Sequence, residues 1–162
     1  MAARFCFEGK TGMKKSLASV EVLSEIRGRL RSVRVDDRAR WGKMTAKRMV
    51  RHLICSYEVA LGERTVEPAA LPVPVVMKWM ALRSGLRWPK NIQTIPELKR
   101  AITEHSEVEF HVLMRAVVES MEAVARGSQY APSHPMFGPM TPEDWMRWGY
   151  LHADHHLRQF GR

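Results

Sequence analysis

The amino-acid sequence predicts an all-α protein: an antiparallel four-helix bundle with a long crossover between its second and third helices. Three observations carry this. Apolar residues recur at three-to-four spacing along most of the chain, as on one face of a helix. The stripes are bounded by N-cap residues and stop glycines. The prolines gather between the stripes, where they cannot break a helix. With 162 residues, 45% of them hydrophobic, the chain is long enough for one domain with its own core. Residues 1–15 are expected to be a loose N-terminal extension and 16–162 the helical domain.

In "SLASVEVLSEIRGRLRSV" the first stripe takes Leu17, Val20, Leu23, Ile26 and Leu30, with Gly28 as a weak point. The second helix follows in "WGKMTAKRMVRHLICSYEVALG". Thr45 is its N-cap, Gly62 its stop, and Met49, Val50, Leu53, Ile54, Tyr57 and Ala60 its apolar face. The Pro-rich crossover has room for a short helix around Val75–Leu82. A third helix is expected from about Glu97 to Arg126, stopped by Gly127. "SQYAPSHPMFGPM" is a loop. The last helix begins at "TPED", where Thr141 caps, Pro142 fills the first helical position and Asp144 completes a capping box.

Composition narrows the function. Lys and Arg exceed Asp and Glu by 26 to 17, a net charge of +9, which favours anionic partners. The basic residues are dispersed, however. Arg27, Arg29, Arg31 and Arg34 form no single stripe, so a nucleic-acid partner is not expected. Cys6 and Cys55 are too few and too far apart for a disulfide framework or a cysteine zinc site, and a reducing, cytoplasmic setting is the simplest expectation. No apolar run reaches membrane-spanning length, so no membrane partner is expected. Eleven methionines supply adaptable apolar surface, and a homodimer is expected.

The densest chemistry lies at the end, in "HADHHLRQFG". At 100° per residue, Trp145, Trp148, His152, His156 and Gln159 share one side of the last helix, and Arg147, Asp154 and Arg158 lie opposite. His152 and His156 are four apart, so their imidazoles stack one turn above the other and can reach one metal ion. His155 lies on the flank of that face, and the i, i+3 pair His152 and His155 is geometrically possible as well. His52, midway along the second helix, is the best third ligand. Such pairs also occur as hydrogen-bonded core histidines without metal. Three neutral imidazoles would leave an open position for a small-molecule substrate. His105 and His111 are six apart and face different ways, and His134 sits in a loop, at the surface or at the mouth of a pocket. Trp41, Trp145 and Trp148 are candidates for the walls of an apolar pocket, or for ordinary core packing.

The segments "RWGKMTAKRMVRHL", "PKNIQTIPEL", "HPMFGPMTPEDW" and "HADHHLRQFG", in that order from about Arg40 to Gly161, resemble the DinB-like metal-binding bundle superfamily, in a branch known as a domain of unknown function. The resemblance implies a four-helix bundle with a divalent metal, zinc or nickel foremost, held by His52, His152 and His156. His155 and Gln159 would be near neighbours. It also implies thiol chemistry, because members of the superfamily join a low-molecular-weight thiol such as bacillithiol or mycothiol to an electrophile. A metal deprotonates such a thiol, and the thiolate is the nucleophile. Metal-assisted hydrolysis and a non-catalytic, metal-stabilised binding protein are the alternatives. Hydrolysis needs a general base, for which Glu58, Glu104 and Glu107 are poorly placed candidates.

Overall fold

A computed structural model describes residues 14–69, 73–90, 92, 95–104, 107–127 and 129–162. Among them run six helices and one small hairpin: α1 (Val20–Arg31), α2 (Ala46–Ala60), α3 (Pro74–Arg83), α4 (Pro96–Glu104), α5 (Phe110–Arg126), β1 (Ser133–His134), β2 (Gly138–Pro139) and α6 (Pro142–Gln159). Residues 1–13, most of the expected extension, and His105 lie outside the described residues. No helix among those described is long and apolar enough to cross a membrane.

The helix α2 is the centre of the packing. The Thr45 side chain accepts from the backbone N–H of Arg48 and starts it, and Gly62, at φ +75°, follows its end. Besides its expected apolar face it buries His52, Cys55, Ser56 and Val59. A helix covered almost all round needs neighbours on several sides. These are α5, α4 and α6. The helix α1 packs against α5 and α6. It starts from the Ser19 side chain and buries Val22, Ile26 and Leu30. Val20, assigned to the stripe by sequence, is 77% exposed. It lies about 120° round the helix from Ile26. Val22 takes the inward position, and Leu17 enters the core from the segment before the cap.

The expected third helix is two helices. An unbroken helix from Glu97 to Arg126 would carry Glu109 on the same stripe as Leu98, Ile102 and Leu113, which are buried. Burying that carboxylate without a partner is unfavourable. Instead Glu109 takes an extended conformation (φ −61°, ψ 141°) as the N-cap position of α5. The α5 helix ends as expected at Gly127, at φ +65°. The expected loop contains a two-residue antiparallel ladder pairing Ser133 with Pro139 and His134 with Gly138.

The capping box of α6 is present, with the Asp144 N–H donating to Thr141 Oγ1 and the Thr141 N–H donating to Asp144 Oδ2. The same carboxylate accepts from Lys78 (3.2 Å) and Arg83 (2.7 Å), which ties α3 to the start of α6. Burial works to raise its pKa, but these two cations outweigh that and lower it. At mid-helix, Gly149 lets the core close. A Cβ there would stand 2.7 Å from Leu17 Cδ1 and 3.5 Å from Val124 Cγ1, and the Gly149 carbonyl accepts from the Tyr57 hydroxyl at 3.4 Å. Gly149→Ala is therefore expected to destabilise the fold by about 1–3 kcal/mol through overpacking, measured by urea unfolding.

Candidate metal centre

Two helices build the centre. His52 projects from α2, and His152 and His156 project from successive turns of α6. The contact between α2 and α6 brings the three together. One ring nitrogen from each lies within 4.8 Å of the others, and all three residues are buried. The rings pack edge-on or tilted, with centroids 4.8–5.0 Å apart. His52 Nε2 and His152 Nε2 are 2.9 Å apart. Two nitrogens sharing one tetrahedral zinc stand roughly 3.3 Å apart, so a small spreading of the pair would admit an ion.

The hydrogen bonds show which nitrogen is free on His156. Its Nδ1 lies 2.9 Å from Gln159 Oε1, and the Gln159 amide N–H₂ donates to the Trp41 carbonyl at 2.9 Å. A carbonyl only accepts, so the amide nitrogen must face Trp41 and the amide oxygen must face the ring. His156 therefore carries its proton on Nδ1 and turns a lone pair outward on Nε2. The Arg40 N–H closes the arrangement by donating to the Gln159 carbonyl at 2.7 Å. Gly161, at φ +76°, lies flat against the Arg40 guanidinium, where a Cβ would collide.

His52 and His152 are less fully satisfied. If no ion is present, their Nε2 atoms share one proton. The Nδ1 atoms of both rings are buried and have no hydrogen-bond partner among the described residues. Among the described residues no carboxylate joins the cluster. Burial holds His52 down to about 4, with the charge of His155 adding to the effect. Burial also holds His152 and His156 well below the ordinary value, and for both the neighbouring His52 reinforces it. On His156 the Gln159 bond works in the opposite sense. Neutral imidazole is the form that binds metal. The donor set, the lone pair on His156 and the convergence of the ring nitrogens fit a divalent cation.

His155 lies beside the cluster. Its ring is 5.2 Å from His156 and 6.0 Å from Trp41, and its Nδ1 is also buried without a partner. Burial lowers its pKa too. Trp148 stands against His152 at 4.8 Å. Trp145, expected at the same wall, is one layer deeper: it is fully buried, donates to the Ala131 carbonyl at 2.8 Å and meets Trp148 edge-on. His134 is buried, not at the surface. It stacks on Phe137 at 4.4 Å and lies 5.3 Å from Trp148, with its Nδ1 accepting from the Met136 N–H. His111 is exposed and is not part of the cluster.

One wall has no counterpart in the sequence reading. Trp88 packs at 5.9 Å from His152 and 6.0 Å from His155. It lies in the Pro-rich crossover, where no helical period marks an inward position. Its indole N–H donates to the Ala81 carbonyl at 2.9 Å and folds the strand of chain after α3 back over the histidines. Of the candidate bases, Glu58 is engaged by Arg64 at 2.7 Å, Glu107 is exposed, and nothing is described of the Glu104 side chain.

A mostly helical frame around three convergent, neutral, buried histidines defines a helical protein with a site that could hold a metal ion. The chain belongs to the family described as "Protein of unknown function (DUF1569)", whose model matches residues 13–162. No curated protein and no solved structure matches it.

The buried rings make stability depend on pH. In the unfolded chain each histidine titrates near 6.5. In the fold His52 stays neutral down to about 4 and His134 down to about 3, in both cases mainly because burial disfavours the cation. Below 6.5 the unfolded chain therefore binds more protons than the fold, and stability falls as pH falls. Metal-free protein is expected to lose stability steadily from pH 6.5 towards 4 in urea titrations. A flat profile would mean that the rings are not held neutral.

Proposed function

We propose that the protein is a divalent-metal-dependent enzyme whose metal is held by His52, His152 and His156. We further propose that it transfers a low-molecular-weight thiol to an electrophilic small molecule. The observation that carries the first part is the convergence of three neutral ring nitrogens from α2 and α6. On this reading α1, α2, α5 and α6 are the four helices of a DinB-like bundle, and α3 and α4 belong to the crossover. Zinc and nickel both suit three imidazoles.

A divalent ion bound there would leave a coordination position open and lower the pKa of a thiol or water reaching it. The chain's own residues supply the rest. Gln159 engages Nδ1 of the His156 ring and leaves the Nε2 lone pair free. Trp88 and Trp148 pack against His152 and keep water from the histidines on those sides. Thiol transfer is favoured over hydrolysis because, among the described residues, no carboxylate oxygen joins the three ring nitrogens. A thiol ionised at the site needs no separate base during its attack.

Metal analysis of untagged protein tests the reading. Wild type is expected to carry about one metal per chain. His52→Ala, His152→Ala and His156→Ala should lose it, and His155→Ala should keep it. Protein that takes up no metal after incubation with zinc or nickel would sink the proposal. Thiol transfer is checked by following free-thiol loss with an electrophile present: metal-loaded wild type should accelerate it and His156→Ala should not.

Gln159→Leu removes the acceptor for His156 Nδ1 while leaving all three ligands. It is expected to weaken metal affinity about 10–100-fold, measured by competition with a chromophoric chelator, with the helical circular dichroism retained.

A further inference from the structure

A second feature lies on the other side of Trp88. A cavity of about 290 Å³ is bounded by the segment before α1, the chain after α3 and the outer face of α6. Five cations line it: Lys14, Lys15, Arg87, Arg147 and Arg158. The single carboxylate there, Asp154, is already held by Arg29 at 2.9 Å and Arg158 at 2.8 Å. Lys15 is paired with Glu25 at 2.7 Å.

The remaining three cations have no carboxylate partner among the described residues. Lys14 donates to the Arg83 carbonyl. Arg147 donates to the carbonyls of Leu82 (3.2 Å) and Lys15 (2.5 Å), and its guanidinium lies 5.6 Å from the Tyr150 ring centre. These neutral acceptors position the Arg147 guanidinium without cancelling its charge. Burial works against that charge and lowers its pKa, Arg83 adds to the effect, and Tyr150 and Asp154 act in the opposite sense. Arg87 has no hydrogen-bond or ion-pair partner among the described residues. Three cations without an ion-pair partner among the described residues, around a concave space, favour an anion, and guanidinium groups match the geometry of carboxylate and phosphate oxygens.

We infer that this cavity is a binding site for a small molecule bearing a carboxylate or phosphate group, recognised by Arg87, Arg147 and Lys14. Trp88 forms part of its wall and also faces His152 and His155, so an occupant would lie one indole away from the histidine cluster. The apolar surface of Leu86, Trp88 and Leu151 gives room for an uncharged body behind the anionic group. The site stands on its own cations and does not depend on the metal.

The test is calorimetric titration of the full chain with inorganic phosphate and, separately, citrate, at ionic strength held constant with sodium chloride. At least one probe should bind with one site per chain, and the tighter of the two shows which oxyanion is preferred. Arg87→Ala, at an exposed position, should weaken binding about tenfold or more, and Arg147→Gln should do the same. Arg115→Ala, which removes one positive charge from α5, should leave it unchanged. Failure of both probes to bind would overturn the inference, as would equal binding by wild type, Arg87→Ala and Arg147→Gln. Equal weakening by Arg115→Ala would reduce the effect to net charge and overturn it too. Binding that survives in Arg87→Ala but vanishes in His156→Ala would put the anion at the histidine cluster and overturn it as well.

Discussion

The contact between α2 and α6 is the constraint on which the rest depends, because it buries three imidazoles that no carboxylate among the described residues joins. Buried polar groups need partners, and buried charge needs a counter-charge. Here the charge is avoided by keeping the rings neutral, and one nitrogen of each ring turns towards the others, while the Nδ1 atoms of His52 and His152 stay without a partner among the described residues. Such an arrangement is tolerable in the fold and well suited to a cation that could accept all three lone pairs. The same burial that lowers the three pKa values makes the rings good metal donors.

The end of the chain holds this contact in register. Gln159 links the His156 ring to the Trp41 carbonyl, and its own carbonyl takes the Arg40 N–H. Arg29 reaches both Asp154 and the Arg162 carbonyl, and Asp37 accepts from Arg162, which fastens α1 and the loop after it to the last helix. The closing residues thus share two tasks. The histidines and Gln159 face inward to the centre, while Asp154 and Arg158 face the α1 side and the basic cavity. Trp88 joins the two regions, with the histidines on one side and the cations on the other.

Elements whose cause is local were legible in the chain. The Thr45 cap, the Thr141–Asp144 capping box and the turns at Gly62 and Gly127 act within a few residues, and all are present. The i, i+4 geometry of His152 and His156 is likewise a property of one helix. Local pattern was less reliable where a stripe could be continued in more than one way. Val20 fitted the spacing but not the phase set by Ile26 and Leu30. The apolar pattern also ran across Glu109, where the chain instead starts a new helix.

By itself, then, the sequence determined that the chain is mostly helical, where its capped helices α2 and α6 begin, where α5 ends, and that two histidines share one face of the last helix. Short-range rules, namely capping, helical period and residue type, are sufficient for that. Only the tertiary structure decided which side chains meet. It set His52 against a pair one hundred residues away, withdrew Trp145 into a deeper layer and buried His134 against Phe137. It also brought Trp88 out of an aperiodic crossover to the edge of the histidines. These are outcomes of packing between elements distant in sequence, and no local spacing encodes them.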